Sequence, residues 1–179
     1  MKHMNVFNTL TRKKEEFIPL VEGEYKIYVC GPTVYNYIHI GNARPAVVFD
    51  TLRRYLEYKG NNVKYVSNIT DVDDKIIAKS HETGIPADKY AEMMIEKINS
   101  VMAKMKVDDP DVWLKATENI GNIIDFVQGL IDKGHAYPTK NGDVYFDVES
   151  FPAYGALSNR NLEDALNGVR IDNDEEKKS

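Results

Sequence analysis

Between positions 25 and 60 the chain changes its hydrophobic period across a Gly-Pro break, and no other feature constrains its fold as much. Tyr25-Lys-Ile-Tyr-Val29 is short, aromatic and β-branched, which reads as a buried strand. Gly31-Pro32 stops it. Val47, Val48, Leu52, Tyr55 and Leu56 then recur at helical spacing, and Gly60 closes that run. Asn61-Asn62 is a turn, and residues 63–69 read as a second strand. Strand, helix and strand in this order favour parallel pairing with a right-handed crossover. The expected class is therefore α/β. Ligands of such sheets bind beyond the carboxyl ends of the strands, which here carry Cys30-Gly31 and Asn68-Ile69-Thr70.

The loop between strand and helix is Cys30-Gly-Pro-Thr-Val-Tyr-Asn-Tyr-Ile-His-Ile-Gly-Asn-Ala-Arg44. Gly41 and Asn42 fall where the helix begins. Free N–H groups and a partial positive charge at that terminus suit a phosphate. His39 stands within reach of the same anion, and Gly41 lets a ring or phosphate approach the backbone. Each residue also has a plainer reading. A lone His before a helix is ordinarily a cap or surface residue. A lone cysteine at a strand end is ordinarily small and buried. Thr33 and Thr70, after their strands, can simply bond the local turns.

A net charge of −5 argues against general coating of nucleic acid. No apolar run approaches the roughly 18 residues of a membrane span, and the polar start does not read as a signal peptide. The single cysteine excludes an internal disulfide and fits a reducing cytoplasm. It also excludes a zinc site built from several cysteines of this chain.

Residues 5–17 read as a polar, extended lead-in with one short strand. Asp71-Val-Asp-Asp-Lys75 opens a helix that Gly84 ends. Asp71, Asp73 and Asp74 invite a metal reading, but the glycine and distal glutamate of a calcium loop are absent, so a helix start enriched in acids is preferred. Residues 87–106 form an amphipathic helix with Tyr90, Met94, Ile98, Val101 and Met105 on one face. Asp108-Asp-Pro-Asp111 reads as a linker. Thr117 is expected to cap a helix whose apolar face is Ile120, Ile123, Ile124, Val127 and Ile131, and which Gly134 ends. Asn141-Gly142 marks a hairpin between residues 135–137 and 144–148. Residues 171–179 are polar and expected to be disordered. Arg44 and Lys75 read as surface or ion-pair residues. Arg12-Lys13-Lys14 and Arg53-Arg54 are possible RNA contacts, though charged faces are usually only solvated.

His39-Ile-Gly-Asn42 resembles the HIGH signature of class I aminoacyl-tRNA synthetases. The whole run from Cys30 to Arg44 is similar to the cysteinyl-tRNA synthetase family in particular. Asn68-Ile-Thr-Asp-Val-Asp-Asp-Lys75, Asp143-Val-Tyr-Phe-Asp147 and Asn161-Leu162 add to the likeness, which covers nearly the whole chain. It implies that residues 1–108 are the first half of a Rossmann-like nucleotide-binding domain, that 109–170 are an inserted connective α+β segment, and that 171–179 are a tail. The implied activity is ligation of cysteine to tRNA(Cys) through cysteinyl adenylate, by a cytoplasmic monomer without membrane attachment. Partners are ATP, carried with magnesium, cysteine and tRNA(Cys).

The resemblance also implies roles. Pro32, Thr33, His39, Ile40, Gly41 and Asn42 would line the ATP site, with His39 and Asn42 catalytic. His39 would steady phosphate charge as the α-phosphate is attacked. Asn42 replaces the last His of the signature, keeping a donor and losing the option of positive charge. Thr33, Asn68 and Thr70 would wall the cysteine pocket. Cys30 would be a zinc ligand, zinc binding the thiolate of the substrate and so rejecting serine. The family's other zinc ligands and its lysine-rich "KMSKS" loop are not found here, and His39 or His135 as substitutes lack motif support. The chain is thus expected to be truncated and inactive alone. Two alternatives stand beside this reading: a nucleotide-binding module without catalysis, and a related ligase that activates cysteine for a small-molecule acceptor.

Overall fold

The computed structural model describes residues 4–158. Asn161-Leu162, the end of the expected inserted segment and the expected tail lie outside them. In chain order the elements are β1 (Asn5–Asn8), β2 (Lys13–Glu16), β3 (Glu24–Val29), α1 (Ile40–Tyr58) and β4 (Asn62–Ile69). Then come α2 (Asp74–Thr83), α3 (Ala87–Lys104), β5 (Val112–Lys115), α4 (Ile120–Asp132), β6 (Ala136–Pro138) and β7 (Val144–Phe146). They fall into two compact units. One is Ile18–Ile120, and the described residues on either side make up the other.

In the flanking unit, β1 pairs antiparallel with β2, so the lead-in is a hairpin and not one strand. Asn8 begins its turn by accepting from the Leu10 N–H, and Arg12 completes it with a φ of +57°. β6 pairs antiparallel with β7 around the Asn141-Gly142 turn, where Gly142 has a φ of +90°. The apolar stripe of α4 has the expected spacing, yet none of the helix's residues is buried within the described chain.

The central unit is built on a parallel sheet in the order β3-β4-β5. β5 follows the Asp108–Asp111 run, whose next residues, Val-Trp-Leu, are short, β-branched and aromatic. The boundary expected at 108/109 thus falls just ahead of a strand of this sheet. The core joins Val34 of the loop, Ile69 at the end of β4, Ile76 of α2, and Tyr90, Ala91, Met94 and Ile98 of α3. The expected face of α3 holds for Tyr90, Met94 and Ile98, while Val101 and Met105 are outside this core and the helix ends at Lys104. Ile76 is only 1% exposed, and Ile76→Ala is expected to cost about 3 kcal/mol through the cavity it leaves. Chemical unfolding monitored by circular dichroism would measure it.

The face of α1 differs from expectation. Val47, Val48 and Tyr55 point outward, and the buried residues are Ala43, Asp50 and Leu56. A carboxylate can take a buried place because its oxygens are bonded, to the Arg54 guanidinium and to the Asp108 N–H. The start of the next helical segment also differs. Thr117 is not its cap. Its N–H and hydroxyl both donate to Asp71, whose carboxylate holds the single 3-10 turn Thr117–Asn119 ahead of α4. Asp73 caps α2 by accepting from the Lys75 N–H, and Gly84 ends that helix with a φ of +71°.

Candidate functional site

β3 and β4 run in parallel with Val29 opposite Ser67. The chain after β3 must therefore leave the sheet beside Asn68, Ile69 and Thr70. Gly31 crosses closest. Its N–H donates to Asn68 Oδ1 at 2.8 Å, and a Cβ at this position would lie 1.6 Å from the Asn68 carbonyl oxygen. Asn68 Oδ1 also accepts from the Tyr28 hydroxyl, and its Nδ2 donates to Thr70 Oγ1. The Thr70 N–H donates to the Pro32 carbonyl, and the Val34 N–H to the Thr70 carbonyl, so Thr33 and Thr70 form a parallel bridge. Asn68 and Thr70 thus tie the loop to the sheet edge. The Asn68 bond to Thr70 Oγ1 is a local contact, but the bridge is made by backbone groups and joins segments far apart in the chain, unlike the local turn contacts of the plainer reading.

The loop ends at His39, the N-cap of α1. Its Nδ1 accepts from the Gly41 N–H at 3.1 Å, which puts the ring proton on Nε2. The N–H groups of Asn42 and Ala43 both donate to the His39 carbonyl. The first donors of this helix are therefore already bonded within the loop. A Cβ on Gly41 would sit 2.8 Å from the imidazole, so the glycine makes room for the ring. Pro45 has no N–H to offer the Gly41 carbonyl four residues back.

Several clefts open around this loop, and two of them meet at Asn42. The first, of about 190 Å³, brings Cys30, Gly31, Gly41 and Asn42 together with Ser67 and Trp113. The second, of about 270 Å³, is lined by Pro32, Thr33, His39, Asn42 and Lys75, among others. Asn42 faces both. Cys30 and His39, read together in the sequence, line different clefts. Ile40, 85% exposed, is in neither and instead lines a third cleft, of about 380 Å³, with Gly41, Ala43, Arg44 and Val47. Cys30 is exposed, not the buried strand-end residue its type suggests. Lys75 lies 5.1 Å from the centre of the Tyr35 ring, and Lys97 lies 4.7 Å from that of Tyr37. Lys75 is held by an aromatic face of the loop, and Lys97 also donates to the Tyr37 hydroxyl at 2.7 Å.

Sequence reasoning missed the far wall of the first cleft. It is made by Trp113 of β5 and by Val107, Asp108, Asp109 and Pro110. Only the Val-Trp-Leu run hinted at it. Tyr65, on the same cleft, has its hydroxyl pKa raised by burial first and by the Asp50 carboxylate second, with the Arg53 charge opposing. Burial works against the Arg53 guanidinium, yet its bond to Glu57 and the charge of Asp111 leave its pKa raised. Arg53 and Arg54 both bind acidic groups of the protein, which leaves them poorly placed as RNA contacts. Among the described residues, no group of three or more His, Cys, Asp or Glu side chains is gathered to hold a metal ion. Asp71, Asp73 and Asp74 serve as caps and helix-start acids, in line with the preferred reading. Cys30 by itself does not make a metal site.

The model of the family described as tRNA synthetases class I (C) catalytic domain matches residues 16–179. The chain belongs to that family. It is 56% identical to a cysteine–tRNA ligase of Lachnoclostridium phytofermentans over 94% of this chain and 36% of the relative. It is 54% identical to one from Clostridioides difficile over 98% of this chain and 37% of the relative. One from Bacillus licheniformis is 53% identical over 97% and 37%. The chain thus spans just over a third of the length of these curated relatives. The fold agrees with this membership: a class I synthetase catalytic domain of mixed α/β content with a parallel sheet. Among the described residues of this synthetase domain, no helix is long and apolar enough to cross a membrane.

Proposed function

We propose that this chain forms the amino-acid-activating part of a cysteine–tRNA ligase, with β3 to β5 as one half of a Rossmann-like nucleotide-binding domain and the α+β residues beyond β5 as its inserted segment. In the reaction, a carboxylate oxygen of cysteine attacks the α-phosphorus of magnesium-bound ATP, and pyrophosphate leaves. A hydroxyl at the 3′ end of tRNA(Cys) then attacks the cysteinyl carbonyl, and AMP leaves. One observation carries the reading. Cys30, Gly41 and Asn42 line a single cleft at the carboxyl ends of parallel strands, with His39 on the adjoining one.

The residues divide the work accordingly. The Asn42 side chain, on both clefts, would bind the nucleotide, and Gly41 would let it approach the backbone. His39 Nε2–H would steady the charge growing on the α-phosphate. Thr33, Asn68 and Thr70 would shape the cysteine pocket through the loop they fasten. Cys30 would supply one thiolate to a zinc ion whose other ligands come from outside the described residues. Zinc in that place would supply an electron-pair acceptor that prefers sulfur and so distinguishes a thiol from a hydroxyl. A cytoplasmic setting accords with the free thiol.

The test is cysteine-dependent exchange of pyrophosphate into ATP. The chain alone is expected to give no exchange above background. The same chain, spliced in place of the matching segment of the Clostridioides difficile ligase, is expected to retain it. A folded splice that binds ATP saturably without exchange would replace this reading with that of a nucleotide-binding module. Full exchange by the chain alone would refute its description as a part.

A further inference from the structure

Arg53 and Arg54 of α1 face residues 106–111, the segment between α3 and β5 that walls the Cys30 cleft. Most of their contacts are directed at it or at Asp50, which bonds it; Arg53 also bonds Glu57 of its own helix and lies 5.9 Å from the centre of the Tyr65 ring. Arg53 Nη1 donates to the Asp109 carbonyl at 2.8 Å, Nη2 reaches Asp111 Oδ1 at 3.4 Å, and Nε donates to Glu57. Arg54 Nη2 donates to the Lys106 carbonyl at 3.0 Å and pairs with Asp108 at 2.7 Å, while Nε donates to Asp50. The remaining Asp50 oxygen accepts from the Asp108 N–H, and Asp111 accepts from the Tyr65 N–H of β4. The segment itself is unusual. Lys106 has a φ of +58°, which a lysine keeps only where its surroundings hold it. The same segment contributes Val107, Asp108, Asp109 and Pro110 to the cleft.

We infer that Asp50, Arg53 and Arg54 are positioning residues, which fix the 106–111 wall of the cleft from the body of the helix whose first turn carries Gly41 and Asn42. One helix then sets both sides of the cavity. Arginine suits this place because its rigid planar fork directs Nε at Asp50 and Nη2 at the 106–108 segment together, whereas the three donors of lysine radiate from one point on a flexible stem. The inference rests on the cleft being the site proposed above, but the hold on its wall is measurable without activity.

The experiment is amide hydrogen exchange on the whole chain, with Asp50→Asn, Arg54→Met and Arg54→Lys. Amides of residues 106–109 and 111 are expected to exchange roughly tenfold faster in the first two variants, as local opening loses a charge-assisted bond. Those of β3, and of β4 apart from Tyr65, should keep their rates, and Arg54→Lys should fall between. Trp113 is the only tryptophan of the chain, so its emission reports on the same wall and is expected to shift to the red. Faster exchange spread evenly over residues 18–120 would make the network a general stabiliser and overturn the inference. Unchanged exchange at 106–111 would overturn it too. In the spliced ligase, Arg54→Met should raise KM more than it lowers kcat. Should the splice lack activity, the functional reading fails while exchange and emission still decide this one.

Discussion

Gly31→Ala is expected to cost about 3 kcal/mol or more, and to lower the melting temperature by roughly 10 °C or more. The added methyl would meet the Asn68 carbonyl oxygen at 1.6 Å and its carbon at 2.8 Å. Both belong to backbone held in the parallel ladder, so neither can swing away as a flexible side chain would. The loop must retreat instead, and retreat breaks the Gly31 N–H bond to Asn68 Oδ1 and strains the bridge between Thr33 and Thr70. Gly23→Ala makes the control. A Cβ there meets nothing within 4 Å, and only its φ of +77° resists, at about 1 kcal/mol. Thermal unfolding of both variants checks the pair. Equal losses would show that backbone conformation matters at Gly31 and close approach does not.

His39→Ala in the spliced ligase is expected to lower pyrophosphate exchange by about 10² to 10³, the usual loss when one preorganised donor to a charged transition state is removed. The same change removes the acceptor for the Gly41 N–H, which costs about 1 kcal/mol of stability. His39→Asn separates the two effects. Asparagine caps a helix well but has no imidazole. Stability should return and exchange should not. Recovery of exchange in His39→Asn would reduce His39 to a cap, the plainer reading that its bond to Gly41 already satisfies.

Much of this domain was legible in the sequence. The spans of β3, β4, α1, α2 and α3, the glycine that ends α2 and the hairpin turn at Asn141-Gly142 all follow from short-range causes. Period, turn chemistry and capping act over a few residues, and those residues are neighbours in the chain. The loop from Cys30 to Arg44 was legible for the same reason, being continuous. What it could not disclose is that Cys30 and His39 line separate clefts, or that the helix donors expected to await a phosphate are bonded to His39.

Everything else depended on partners far along the chain. Asp50 is buried and Val47 is exposed because the Asp108 N–H and Arg54 arrive to satisfy the carboxylate. Asp71, 46 residues before Thr117, does the capping that threonine was expected to do. The aspartates that read as a linker became a wall of the candidate site because Arg53 and Arg54 hold them there. The sequence by itself determined the two strands and the helix that frame the loop from Cys30 to Arg44, and the helices that follow, but neither β2 nor β5. Only the tertiary structure decided which faces are buried and which charges are used within the protein, because a charged group's place depends on whether a distant partner comes close enough to offset the loss of water.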